Sequence, residues 1–218
     1  MTPGAGHDFT LLGAALTALA SGALWWGERR LLVVSDLHLG KSERIARRGG
    51  ALLPPFDTRE TLARLDRAIE ALDPATVLCL GDSFDDLQAA DLPEPEALWL
   101  HRMGAGRRWL WIEGNHDPGP VALPGEHLAE LTLGPLSFRH IATPGARGEV
   151  SGHYHPKARL AGRAHPCFLI DAARVILPAF GAYTGGLWVT DPAFDGLFGP
   201  QARAVLTGSA ARAIPLRR

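Results

Sequence analysis

An Asp and a His stand two positions apart, Asp36 and His38, at the end of the apolar run 31 to 41, LLVVSDLHLGK. In an extended chain, side chains at i and i+2 point the same way, so a carboxylate oxygen and an imidazole nitrogen can meet one cation. By itself an Asp-x-His is weak, because a polar loop capping a buried strand reads identically. Three later stretches repeat the arrangement. Residues 76 to 86 (TVLCLGDSFDD) reach Gly-Asp, residues 109 to 117 (WLWIEGNHD) end in Gly-Asn-His-Asp, and residues 149 to 155 (EVSGHYH) end in Gly-His-x-His. Each reads as a strand that stops at a glycine and then offers oxygen or nitrogen donors. Sheet-based enzymes gather their chemistry at the C-terminal ends of strands. Carboxylate, amide oxygen and imidazole together suit Mn²⁺, Fe²⁺ or Zn²⁺, with no thiolate in the set to select zinc.

The elements that must carry these residues follow from periodicity. After the first ligand-bearing strand, residues 53 to 56 (LPPF) break the chain. Leu62, Leu65, Ile69 and Leu72 then recur at helical spacing over residues 58 to 72, with Asp57 or Thr58 available as a cap. Asp73-Pro74 ends that helix, a strand follows at 77 to 80, and a second helix over 95 to 103 leads to the strand at 109 to 112. This β-α-β-α-β rhythm predicts a layered α/β fold. Beyond Asp117 the apolar runs shorten, at 128 to 133, 136 to 141, 149 to 152, 167 to 170, 175 to 177 and 187 to 189, which predicts a second, largely antiparallel set of strands. Two sheets with helices on their outer faces accommodate both halves. The tail from Ala202 to Arg218 is weakly patterned and is expected to end in disorder.

With 218 residues, 46% of them hydrophobic, the chain can bury the core of one domain spanning 1 to 218. A formal net charge of -1 points to no partner, so only local clusters speak about substrate. Cys79 and Cys167 lie in apolar runs and read as buried thiols of a reducing compartment. The apolar run 9 to 26 imitates a secretory leader, but residues 2 to 8 carry no Lys or Arg. Gly13, Thr17, Ser21 and Gly22 interrupt it too often for a membrane span. Short strands at 9 to 12, 15 to 19 and 23 to 26 are expected instead, and with them a cytoplasmic protein that keeps its N-terminus.

Residues 35 to 42 (SDLHLGKS) come close to a phosphate-binding P-loop, but Ser35 stands where its first glycine is required. Beyond Lys41, Arg44, Arg47 and Arg48 share one face of a helical turn. They read either as a solvated basic face or as contacts, with Lys41, to an anionic backbone.

Taken together, Asp36-Leu37-His38, Gly81-Asp82-Ser83-Phe84-Asp85, Gly114-Asn115-His116-Asp117, a lone later His and Gly152-His153-Tyr154-His155 resemble the five blocks of the calcineurin-like metallophosphoesterases. The resemblance spans most of the chain and implies a four-layer α-β-β-α sandwich with mixed sheets. It implies one ion on Asp36, His38, Asp82 and His155, with Asp82 bridging to a second on Asn115, His140 and His153. It further implies in-line attack by a metal-bridging hydroxide, with His116, oriented by Asp85, assisting the leaving oxygen. For the lone His, His140 closes a strand whereas His127 falls in a loop after Pro124-Gly125, so His140 is chosen. Asp86 and Asp117 are each read as a loop cap or a hydrogen-bonding support rather than a ligand.

The segments DLHLGKSERIARRGGALLP, GHYHP and LPAFGAYTGG look like the DNA-ligase-associated branch of that superfamily. This implies a Mn²⁺-dependent DNA endonuclease of repair gene clusters, associated with ligase, helicase and exonuclease proteins. Two rivals stand beside it. A lipid-precursor pyrophosphatase shares the Ser-Asp-Leu-His-Leu opening but needs an apolar cap for which no insertion is long enough. A scaffold without activity would be expected to lack ligands that are all present here.

Overall fold

The computed structural model describes residues 6–47, 49, 56–119 and 123–216. Its first sheet is built in chain order from β1 His7–Leu11, β2 Ala14–Ala18, β3 Leu24–Trp26, β4 Leu31–Val34, β5 Thr76–Leu80, β6 Arg108–Ile112 and β7 Glu126–Leu128. The first four form an antiparallel meander, and β4 to β7 run parallel. Residues 9 to 26 are therefore strands, as their glycine interruptions predict. Among the described residues no helix is long and apolar enough to cross a membrane.

Strand β4 reads Leu-Leu-Val-Val because both of its faces are covered. Leu31 and Val33 face the second sheet, while Leu32 and Val34 meet the helices. Those helices are α1 Lys41–Arg47, α2 Asp57–Leu72 and α3 Glu94–Gly104. Leu62, Leu65 and Ile69 of α2, with Leu100 and Met103 of α3, fill the space over Val77, Cys79, Trp109 and Trp111. Neither predicted cap of α2 serves as one, because Phe56 holds the N-cap position without a side-chain bond. Asp57 instead binds the backbone N–H and hydroxyl of Ser42, and the Thr58 hydroxyl accepts from Gly40 N–H at 2.9 Å. The start of α2 thus braces the turn that leaves His38.

The second sheet comprises β8 Leu131–Leu133, β9 Leu136–Phe138, β10 Glu149–Ser151, β11 Lys157–Leu160, β12 Arg163–Ile170, β13 Arg174–Ile176, β14 Arg203–Leu206 and β15 Arg212–Pro215. Its spatial order is β15-β14-β12-β13-β10-β9-β8, with β11 hairpinned onto β12. β10 runs parallel to both its neighbours, and the other pairings are antiparallel. Leu136, Phe138, Val150, Phe168, Ile170, Val175 and Val205 seal it against the first sheet.

The mixed-sheet sandwich is thus present, and its fourth layer is thin. Among the described residues, Phe194 and Leu197, from and just after the short turn Pro192–Phe194, cover Cys167, Leu169 and Leu206, with Leu187 and Val189 at the margin. The run at 187 to 189 supplies one β-bridge, Lys157 to Trp188, rather than a strand. Conversely, the weakly patterned tail forms β14 and β15. Strand β14 has one short apolar run, and its place is set by pairing with β12 rather than by local periodicity.

Candidate metal centre

All the predicted ligands fall on loops that leave strands on the same rim. Asp36 and His38 follow β4, Asp82 follows β5, Asn115 follows β6, His140 follows β9, and His153 and His155 follow β10. Parallel pairing of β4 with β5 continues into these loops through Asp36 N–H to Gly81 O (3.2 Å), His38 N–H to Asp82 O (3.0 Å) and Leu39 N–H to Ser83 O (2.9 Å). Yet the chain there is not extended, as i, i+2 reasoning assumes. Of ten non-glycine residues with left-handed φ among the described residues, five are Asp36, His38, Asp82, His153 and His155. Such a conformation costs roughly 1–3 kcal/mol per residue and persists where tertiary contacts over-determine it. Here those contacts are tight. A side chain at Gly152 would place its Cβ 1.7 Å from Ser35 Oγ, and one at Gly114 would meet the Asp82 amide at 2.1 Å.

Two donor sets converge side by side. In the first, His155 Nε2 lies 3.1 Å from Asp36 Oδ1 and 3.4 Å from His38 Nε2. In the second, His140 Nε2 lies 3.3 Å from Asp82 Oδ2, 3.0 Å from Asn115 Oδ1 and 3.2 Å from His153 Nδ1. His140 Nδ1 lies 4.0 Å from Asp36 Oδ1, so the two sets adjoin. Two of these rings have their tautomer set from behind. His140 donates from Nδ1 to Leu80 O at 2.8 Å, and His38 donates from Nδ1 to Asp85 Oδ1 at 2.8 Å. In each ring Nε2 is left with its lone pair facing other donors, the orientation a cation requires. The residues therefore fit a pair of divalent ions on the chemistry of the donor set alone.

Electrostatics favour the same arrangement. Burial works to raise the carboxyls of Asp36, Asp82 and Asp85, but hydrogen bonds and charge from His155, His140, His38 and Arg44 hold all three below the ordinary range. Burial works to lower His140, and Asp82 and Asp36 overcome it, so that ring sits above its ordinary value. His153 is lowered by burial and by His140. Burial pushes the Cys167 thiol up to about 12, and Cys79 is raised likewise, so neither offers a thiolate.

Two predicted arrangements differ in the structure. The Asp85 carboxylate binds His38 and Arg44, and it is the Asp85 backbone carbonyl that receives His116 Nδ1–H, at 3.0 Å. Arg44 is consequently paired with a carboxylate that is 1% exposed. The turn of α1 folds it back over the ligand loop, a contact that helical spacing does not reveal. Lys41 is half-buried at the start of α1; the Arg47 side chain and Arg48 lie outside the described residues. His127 lies in β7, not in a loop, stacked on Trp111 with ring centroids 6.4 Å apart, away from the donor sets that include His140.

Supports that sequence reasoning left unassigned include Ser35, whose hydroxyl donates to Asp36 Oδ2 at 2.6 Å, and a buried ion pair behind His140. In that pair Arg174 binds Glu149 Oε1 at 3.0 Å and the carbonyls of Thr143 and Ala146 at 3.0 and 2.9 Å. It pins the segment joining His140 to β10. Asp117 and Asp86 act as expected of loop supports: Asp117 accepts four backbone N–H groups, and Asp86 caps Ala89 N–H at 2.8 Å.

Because Arg44 holds the Asp85 carboxylate that binds His38, Arg44→Ala is expected to lower hydrolysis of a small aryl phosphodiester by about 10- to 100-fold. Steady-state rates on that substrate check this, and an unchanged rate would mean that Arg44 does not support the site.

Compared with known proteins, residues 29–167 match the calcineurin-like phosphoesterase family. The fold is similar to the crystal structure of Pseudomonas putida nuclease MPE, at 32% sequence identity and a TM-score of 0.76, covering 96% of this chain and 100% of that one. Among curated proteins no sequence matches.

Proposed function

The chain belongs to the calcineurin-like phosphoesterase family and is a hydrolase of phosphoester bonds, and from that premise we propose that it is a binuclear, manganese-dependent DNA endonuclease acting in repair. The observation that carries this reading is the pair of donor sets that adjoin at His140 and Asp36. Likeness to a nuclease over nearly the whole chain supports nucleic acid as substrate. Asp36, His38 and His155 would hold one ion and Asn115, His140 and His153 the other, with Asp82 shared between them. Such an ion pair supplies an acidified water and a clamp for phosphate oxygens.

The chain's own groups do the rest. The Asp85 carbonyl keeps a proton on His116 Nδ1, so His116 can donate to a leaving oxygen only from Nε2 of its imidazolium form. Its ring centroid lies 5.3 Å from that of His38, which puts that proton beside the first donor set.

Purified protein should cut single-stranded circular DNA with Mn²⁺, which requires internal cleavage because the circle has no ends. Duplex DNA, an aryl phosphodiester, Zn²⁺ and Mg²⁺ form the comparison. Hydrolysis of the aryl diester with DNA left intact would replace the nuclease reading by a small-molecule phosphodiesterase.

A further inference from the structure

We propose that Tyr183 is the platform on which a nucleobase beside the cleaved phosphodiester stacks, an inference that rests on the nuclease reading above. The glycine-rich stretch 177 to 186 contributes none of the predicted ligands, yet it is fastened to the ligand loops at 180 and 181 and, just past its end, at 187. Phe180 N–H donates to Ser35 O at 2.8 Å, Gly181 N–H to Asp36 O at 3.1 Å and Ala182 N–H to Thr61 Oγ1 at 2.9 Å. Further on, Leu187 N–H reaches Tyr154 O at 3.2 Å. A side chain at 181 would put its Cβ 2.2 Å from Leu37 O, and one at 186 would put it 2.0 Å from His155 O. Both ends of the loop therefore lie directly on the turns that carry Asp36, His38 and His155. Two peptide units separate Tyr183 from Gly181, which keeps their Cα atoms within about 8 Å.

On this loop Phe180 turns inward, fully buried, with the Arg64 guanidinium 4.8 Å from its ring centroid. Tyr183 turns outward. It is 49% exposed and adopts φ +55°, a left-handed conformation rare for a bulky residue. Glycine or asparagine would fit that backbone better, and an aromatic ring so exposed adds little to the core, so folding explains neither feature. Leu12 shows the same combination, but in the two-residue hairpin turn between β1 and β2, where left-handed backbone is what the turn demands. Tyr183 closes no hairpin. A strained, outward aromatic on a rigid loop touching the ligand turns has the form of a stacking platform, which costs little ordering when a base arrives. Every base has a π face, so this contact is tolerant of sequence and selects bases not already stacked in a duplex.

The test compares Tyr183→Gly, which accommodates φ +55° without strain, with Tyr183→Phe, which keeps the ring. Tyr183→Gly should raise KM for a single-stranded oligonucleotide by roughly 5- to 150-fold, about 1–3 kcal/mol at 1.4 kcal/mol per tenfold, with a smaller change in kcat. On the same oligonucleotide made abasic around the cleavage position it should match the parent protein. Tyr183→Phe should behave as the parent on both, and the Gly variant should unfold at no lower temperature. Equal KM for the Gly variant and parent on the normal oligonucleotide overturns the assignment. Equal losses on normal and abasic strands overturn it too, by making the residue a support of the metal centre. If the parent protein hydrolyses an aryl diester but cuts no DNA, the nuclease reading itself fails and takes this one with it.

Discussion

Asp82→Ala is expected to abolish hydrolysis of DNA and aryl phosphodiester alike, by more than roughly 100-fold, the upper end of what removing a group merely behind a ligand costs. Each oxygen of its carboxylate meets a different group of the site. Oδ1 accepts the His116 N–H at 2.8 Å, and Oδ2 faces His140 at 3.3 Å. Without it, the second donor set loses its negative charge and an ion there would face only imidazole and amide donors. Metal content per chain should fall with activity. Ala at a position with φ +46° is strained as well, so Asp82→Asn serves as the control for folding. Asparagine tolerates that backbone and retains an oxygen for His116, yet carries no charge. A fully active variant holding two ions would remove Asp82 from the bridge.

The donors could be read from sequence because each block puts them just past an apolar strand and a glycine, which is local information. What the blocks do to one another is not local. Asp85 was legible as a partner for a histidine, but its neighbour in sequence space is not its neighbour in the fold: the carboxylate reaches back 47 residues to His38. Arg44 looked like surface because helical spacing reports which residues share a face, not which buried acid lies beneath it. The extended geometry inferred for Asp36 and His38 also fails, since both adopt left-handed φ in a turn against which Gly152 of β10's loop packs at Ser35. Strands β14 and β15 escaped for the opposite reason. Their apolar runs are short, and pairing of β14 with β12 and of β15 with β14 supplies the order that their own pattern lacks.

Asp117→Ala is expected to be among the most destabilising single changes in the molecule. Asp117 is 5% exposed, and its two oxygens accept the N–H groups of Asp82 and Gly114, each at 3.0 Å, of Ser83 at 2.8 Å and of Phe84 at 3.2 Å. Burial and the Asp82 charge push its carboxyl up, while the backbone bonds to Phe84, Ser83 and Gly114 pull the other way. One side chain thus ties the loop after β6 to the loop after β5 and sets where Asp82 points. An unpaired buried donor costs about 1–3 kcal/mol. Four donors in one loop pair relax together, so the total expected is about 3–5 kcal/mol, a large part of the roughly 5–15 kcal/mol that holds a domain folded. Asp117→Asn keeps one oxygen but turns an NH₂ toward the other pair of donors, so about half the loss is expected. Urea unfolding in the presence of a chelator measures this without the stabilisation that bound ions add to the native state. An Ala variant within about 1 kcal/mol of the parent would mean that water satisfies those four groups and that Asp82 is aimed by something else.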